Sequence, residues 1–227
     1  MLFGALTPAT FVARPNRFLG LAEVDGATVE CFIPNPGRMR ELLFRGARVY
    51  LHRCDHSSRK TSYDLTLTEH EGTLVSIDSR VPNSVIDESI RAELLPEFDG
   101  YVIDRHEPIF GDSRFDLRLI DGSRSALLEI KSCTLVVSGI ALFPDAPTRR
   151  GARHLRTLSE ALRVGRSAFV FLIQRDDACS LRPNEATDPD FSDALRKALL
   201  KGVEVYAYGS KVTLEGITIN RRVPVKI

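Results

Sequence analysis

Apolar and polar residues alternate in short runs through the first 80 residues, then shift to helical spacing in three later stretches. The alternation predicts strands at 9–14, 18–24, 27–33, 47–54, 62–69 and 73–78. Turn residues separate them at Pro15-Asn16, Asp25-Gly26, Pro34-Asn35-Pro36-Gly37 and Glu71-Gly72. A helix is expected over 37–44. Five or six short strands with one helix fit a small β-barrel such as an OB-fold, an architecture that often binds nucleic-acid strands.

From residue 81 the pattern is mixed. Asn83 is expected to cap a helix running to about Leu95, with Ile86, Ile90 and Leu94 facing inward and Pro96 ending it. A strand follows at 101–109, then a hairpin, then apolar β structure at 134–143. Thr148 is placed to cap a helix whose buried stripe is Leu155, Leu158 and Leu162. Next come a buried strand at 167–174 and a helix opened by Asp188-Pro189, carrying Phe191, Leu195 and Leu199 and stopped by Gly202. A strand at 203–208 and a short hairpin within 211–227 complete the order, which is that of an α/β domain. The expected organisation is an OB-fold-like barrel at 1–80 and an α/β domain at 81–227. A fragment of about 1–80 is then expected to fold by itself.

The hairpin at 111–133, GDSRFDLRLIDGSRSALLEIKSC, carries charge where apolar alternation should exclude it. Phe115, Leu117 and Leu119 alternate along one strand, and Leu128 and Ile130 along the next. A Gly122-Ser123 turn of type II′ sets Leu117 against Leu128 and Asp116 against Glu129. Directly opposed side chains have Cβ atoms about 4.5–5.5 Å apart, so two carboxylates there repel unless a cation joins them. Lys131 follows on the same face. Asp116, Glu129 and Lys131 together offer oxygen ligands for a hard divalent ion and an ammonium for a developing charge. The spacing resembles the active-site motif of the PD-(D/E)XK nucleases. The same residues also fit the solvated face of a two-sided hairpin. Glu88, in the preceding helix, is a further acidic ligand if its end of the helix approaches the hairpin, and otherwise an exposed charge.

Composition narrows the class only slightly. The 227 residues are 43% hydrophobic and 27% charged, as expected of a globular protein with a substantial core. No apolar stretch approaches 18 residues and the start has no basic segment before a long apolar run, so a cytoplasmic protein without a membrane span is expected. Cys31, Cys54, Cys133 and Cys179 are widely spaced, which argues for reduced thiols rather than a disulfide framework or a zinc knuckle.

Net charge is +1, yet the basic residues cluster. Between Arg38 and Lys60 there are seven basic and two acidic residues, and between Arg149 and Arg166 six arginines and one glutamate. Such clusters suggest a polyanion site, although 25 of the 31 basic residues are arginine, which also fits a general preference for that residue. Two turns, RPNRF at 14–18 and PNPGRM at 34–39, project arginines from rigid backbone, a geometry suited to phosphate. Arg149, Arg150 and His154 put positive charge at a helix N-terminus, where a bound phosphate would relieve the conflict with the helix dipole. The expected nucleic-acid contacts are Arg14, Asn16, Arg17, Asn35, Arg38, Arg59, Lys60, Arg149, Arg150 and His154.

Several segments then converge on one pattern: RPNRFL at 14–19, PNPGRM at 34–39, RKTSYDL at 59–65, SRFDL at 113–117, EIKS at 129–132, LFPDAPTRRGARHL at 142–155 and GVEVYAY at 202–208. In this order they resemble the sugar fermentation stimulation protein A (SfsA) family, over nearly the whole chain. The resemblance implies an N-terminal OB-fold, a C-terminal PD-(D/E)XK nuclease-like domain, DNA binding and a link to sugar-utilisation genes. Asp116, Glu129 and Lys131 fall on its motif positions and Glu88 on the helix acid. Cys31 stands where many members have histidine. Two functions follow as expectations: a Mg²⁺- or Mn²⁺-dependent nuclease, endo- or exo-acting, on single- or double-stranded DNA, or a DNA-binding regulator that never cuts. An RNA-directed OB surface is a third.

Overall fold

The computed structural model describes residues 1–54 and 60–227. Six strands form the first sheet: β1 (Leu6–Asn16), β2 (Leu19–Val24), β3 (Ala27–Phe32), β4 (Arg48–Arg53), β5 (Tyr63–His70) and β6 (Thr73–Ser76). Antiparallel pairing runs β3-β2-β1-β4-β5, and a parallel β3–β5 contact at Cys31↔Tyr63 and Phe32↔Asp64 closes five of them into a barrel. Phe11, Leu51, Leu65 and Ile33 fill its interior. The helix expected over 37–44 is instead a series of turns. Met39 takes a positive φ of 45°, which a helix forbids, and buries its side chain with Leu42 as a plug in the barrel core.

The second sheet has the order β17-β16-β14-β11-β10-β7, from β7 (Val102–His106), β10 (Leu117–Asp121), β11 (Arg124–Cys133), β14 (Arg166–Ile173), β16 (Glu204–Val212) and β17 (Ile217–Arg222). β11, β14 and β16 are parallel and the outer strands antiparallel. Helix α1 (Val81–Arg91) covers one face through Val85, Ile86 and Ile90, packed with Leu128, Val170 and Leu172. Helices α2 (Arg149–Ala161) and α3 (Pro189–Leu200) cover the other through Leu155, Leu158, Phe191 and Leu195, packed with Phe169 and Phe171. The single-residue alternation along β14 therefore serves two cores at once. Short pairs β8 (Ile109–Phe110) with β9 (Ser113–Arg114), and β12 (Val136–Val137), β13 (Ile140–Phe143) and β15 (Ser180–Pro183), border this sheet.

The caps at α2 and α3 are as expected: Thr148 Oγ1 accepts from Gly151 N at 3.0 Å, and Asp188 Oδ1 from Phe191 N at 2.9 Å. Helix α1 differs. It starts at Val81, behind an Arg80 with no side-chain cap, and ends at Arg91, after which Glu93 takes φ 54°. Leu94 thus lies outside the helix and is exposed.

The barrel and the second sheet share packing. Phe3, Tyr50 and Leu67 join the α1 core, Leu2 bridges to Gly216, and the Met1 ammonium donates to Ile217 O at 3.1 Å. Gln174, fully buried, accepts from Ser76 N through its backbone carbonyl at 3.0 Å and donates through Nε2 to Ser132 Oγ at 2.9 Å. Replacing fully buried Leu67 by alanine is expected to cost about 2–5 kcal/mol, because it opens a cavity where barrel and sheet meet. Urea unfolding followed by circular dichroism should show the loss as a lower midpoint.

Candidate functional site

The hairpin register is the expected one through Leu117↔Leu128 and Asp121↔Arg124, with Gly122 at φ 56° in the turn. The ladder then stops one residue short of the expected Asp116–Glu129 pair. Asp116 N donates to Leu128 O at 3.1 Å, and the Asp116 carboxylate, in place of a backbone carbonyl, accepts from Ile130 N at 2.6 Å. The side chain ends the strand pairing and is itself held rigidly next to Glu129.

Glu129 does not lie on a solvated face. It is 2% exposed, on the side of β11 covered by α2. His154 Nδ1 stands 2.5 Å from its Oε1, and Lys131 Nζ bonds the same oxygen. Its Oε2 is buried with no hydrogen-bond partner. Burial is the largest influence on Glu129 and pushes its pKa up, yet the His154 hydrogen bond and the Lys131 ammonium together hold it below the usual range. Asp116 goes the other way: burial and then the neighbouring Glu129 charge raise it, against the opposing Ile130 N–H. Two adjacent carboxylates with oppositely displaced pKa values are a common mark of a functional site.

These groups lie at the floor of a cleft of about 510 Å³ between the barrel and the second domain. The 34–37 turn forms one wall, and the 142–148 loop with the start of α2 the other. Arg38 N donates to Asp145 Oδ2 at 2.9 Å, tying the walls together. Gly37 is required there, since a Cβ would collide with the Asp145 and Asn35 side-chain oxygens. Arg17 and Arg150 also line the cleft.

The expected contact residues separate into two groups. Arg17, Arg38, Lys60, Arg149 and Arg150 are exposed. Arg14, Asn16, Asn35 and His154 are instead committed to the protein. Arg14 donates to the carbonyls of Arg17, Asn35, Gly37 and Arg38 at 2.7–2.9 Å, which staples the two proline-rich turns together. Asn16 Oδ1 accepts from Phe18 N and Leu19 N. Asn35 is buried, donating to Ile77 O and accepting from Gly37 N. His154 is 1% exposed; its Nε2 accepts from Arg150 Nε at 3.3 Å, and its Nδ1 is turned toward Glu129. Arg59 lies outside the described residues.

Glu88 is not at the cleft. Its carboxylate is half-exposed and 2.6 Å from the Met1 ammonium. From α1 it is Asn83 that reaches the site, donating to Asp116 Oδ1 at 2.8 Å. Glu88 sits five residues further, about 7.5 Å along the axis and on another face. Among the described residues no three His, Cys, Asp or Glu side chains converge as a metal cluster. Cys31 is buried in the barrel core, where burial pushes its thiol up to about 12, so it has no place in the cleft.

Spacing contained one missed signal. His154 lies on the stripe of Leu158 and Ala161, so its inward direction was readable. The tasks of Asn83 and Arg14 had no counterpart in the pattern.

A closed OB barrel joined to an α/β domain, with two carboxylates and a lysine on the floor between them, defines the class of this protein. Sequence profiles agree: the SfsA N-terminal OB domain matches residues 12–77, and the sugar fermentation stimulation protein RE domain matches residues 80–216. The chain belongs to the sugar fermentation stimulation protein (SfsA) family. It is 46% identical to a sugar fermentation stimulation protein homolog of Moorella thermoacetica, over 98% of this chain and 96% of that one. A homolog from Caldanaerobacter subterraneus subsp. tengcongensis is 44% identical over 95% and 94%. The solved structure of Pyrococcus furiosus SfsA in complex with Ca²⁺ superposes with a TM-score of 0.92, at 31% identity, covering 100% of this chain and 98% of that one. No helix among the described residues is long and apolar enough to cross a membrane.

Proposed function

We propose that this protein binds DNA in the interdomain cleft and hydrolyses its phosphodiester bonds with Mg²⁺ or Mn²⁺, in the cytoplasm. The observation that carries the reading is Glu129 Oε2, a buried carboxylate oxygen without a partner, beside Asp116 and Lys131. A buried carboxylate oxygen left without a hydrogen bond is costly, so the donor set fits a hard cation. Mg²⁺ is commonly held by one or two carboxylates, with water and substrate phosphate completing its shell, so a third acid from Glu88 is not needed. The Ca²⁺ complex of the Pyrococcus furiosus relative supports divalent-ion binding at this family's fold.

When bound, the ion would polarise the phosphate and lower the pKa of a water. The protein's own groups do the rest. Lys131 places an ammonium where negative charge develops, and His154 fixes the orientation of Glu129 from behind. Arg17 and Arg150 charge the cleft walls for phosphates. Incubating single- and double-stranded DNA with the protein in Mg²⁺ or in EDTA tests the proposal; no Mg²⁺-dependent cleavage of either would sink the nuclease part.

The competing reading is a DNA-binding regulator of sugar-utilisation genes that keeps the fold without cutting. It draws support from the displacement of Glu88, which leaves Asp116 and Glu129 as the acids on the cleft floor, while Asp145 in the wall is tied to Arg38 N. Both readings place phosphates at the arginines. Double substitution of Arg17 and Arg150 by alanine is therefore expected to flatten the plot of log affinity against log salt by about 0.7–0.9 for each phosphate that is no longer neutralised. An unchanged slope would move the phosphates elsewhere.

A further inference from the structure

Arg17 lines the cleft, and its neighbour Phe18 lines a separate depression on the barrel surface. There Phe18 stacks against Phe32, with ring centroids 6.1 Å apart and planes inclined by 24°. Phe18 is 46% exposed, although a phenylalanine gains by burial. The pair borders a depression of about 410 Å³ lined also by Asn16, Leu19, Glu30 and Lys60.

The platform is rigid. Asn16 Oδ1 accepts from Phe18 N at 2.9 Å and Leu19 N at 3.0 Å, which fixes the turn. The Arg80 guanidinium lies 5.9 Å from the Phe32 ring centroid and is held there by Asp78 and Asp64. Phe18 belongs to the β1–β2 loop, Phe32 ends β3, and Lys60 lies in the β4–β5 loop. This is the face through which OB barrels take up oligonucleotides.

We propose that Phe18 and Phe32 form a stacking platform for an unpaired nucleobase, so that the protein engages a single strand on the barrel while phosphates of the same strand pass Arg17 into the cleft. Each part of the depression suits that ligand. The rings offer a π-surface, which every base can stack on. Lys60 pairs with phosphate, and the Glu30 carboxylate accepts from an exocyclic amino group. A duplex presents no free base face here, so the platform discriminates strandedness. The proposal rests on DNA binding at the cleft and adds the state of DNA that is chosen.

The test compares affinity for a short unstructured single strand, the same strand with abasic sites, and its blunt duplex, by fluorescence anisotropy in EDTA so that nothing is cut. Phe18→Ala is expected to weaken the single strand by about tenfold or more and to leave the duplex unchanged. Phe18→Trp should restore the loss, and wild type should bind the abasic strand about as weakly as Phe18→Ala binds the intact one. Circular dichroism of both variants checks their fold. Equal affinity of wild type and Phe18→Ala for the single strand overturns the platform and leaves cleft binding standing. Parallel loss for strand and duplex also overturns it, by making Phe18 structural. Absence of wild-type binding to any DNA removes the cleft reading, and the platform with it.

Discussion

Mg²⁺ is expected to raise the melting temperature of this protein, and Asp116→Asn to abolish most of the rise. The reason is the arrangement of charge without the ion. Burial and the adjacent Glu129 charge raise the Asp116 pKa above its unfolded value. A carboxyl so displaced favours folding in its protonated form, and that contribution is lost as pH rises from the unfolded pKa through the folded one. Once pH has risen through the folded pKa, the metal-free fold carries the penalty of ionised Asp116. A divalent cation reverses the sign of that interaction. Binding at a hundredfold excess over Kd adds about 2.7 kcal/mol, or roughly 5–10 °C in a chain of this size. Asparagine keeps the shape and an acceptor for Ile130 N–H, but gives up the ligand charge. Asp116→Asn should accordingly melt no lower than wild type in EDTA and respond little to Mg²⁺ or Mn²⁺. Thermal melts with and without the ion check this; equal metal-induced shifts in the two proteins would remove Asp116 from the site.

Lys131→Ala should separate ion binding from chemistry. The ammonium is bonded to Glu129 Oε1 and lies 5.8 Å from the Phe169 ring centroid, so it is held in place rather than swinging in solvent. It adds no ligand for a cation, and its positive charge opposes one. Its removal is expected to preserve or enlarge the Mg²⁺-induced melting shift. Any DNA cleavage should fall by about 10²–10³-fold, the usual cost of losing one preorganised group that stabilises transition-state charge. Cleavage assays run beside the melts read both quantities. Cleavage that survives in Lys131→Ala would exclude it from the chemistry. A wild type that binds DNA and Mg²⁺ without cutting would establish the regulator reading.

Local chemistry was enough for much of this molecule. The six strands of the first sheet follow from alternation and turn residues, because a half-buried strand needs period two and a tight turn needs Gly, Asn or Pro. The caps of α2 and α3 follow because an orphan N–H at a helix start needs an oxygen nearby in sequence. The pairing of Leu117 with Leu128 follows from a two-residue turn, and it brings Asp116 and Glu129 near each other.

Tertiary structure decided the rest, since the remaining assignments concern partners far apart in the chain. Whether Glu129 faced water or a helix depended on α2, some 20 residues later, which covers it with His154. Whether Arg14 met phosphate or carbonyl depended on the 35–38 turn, whose oxygens come within reach only once the barrel has closed. The choice of Asn83 over Glu88 at the site turned on where α1 begins and how it lies across the sheet. An exposed charge and a buried one look the same along a sequence. They differ only in the dielectric and the partners that packing from distant segments provides.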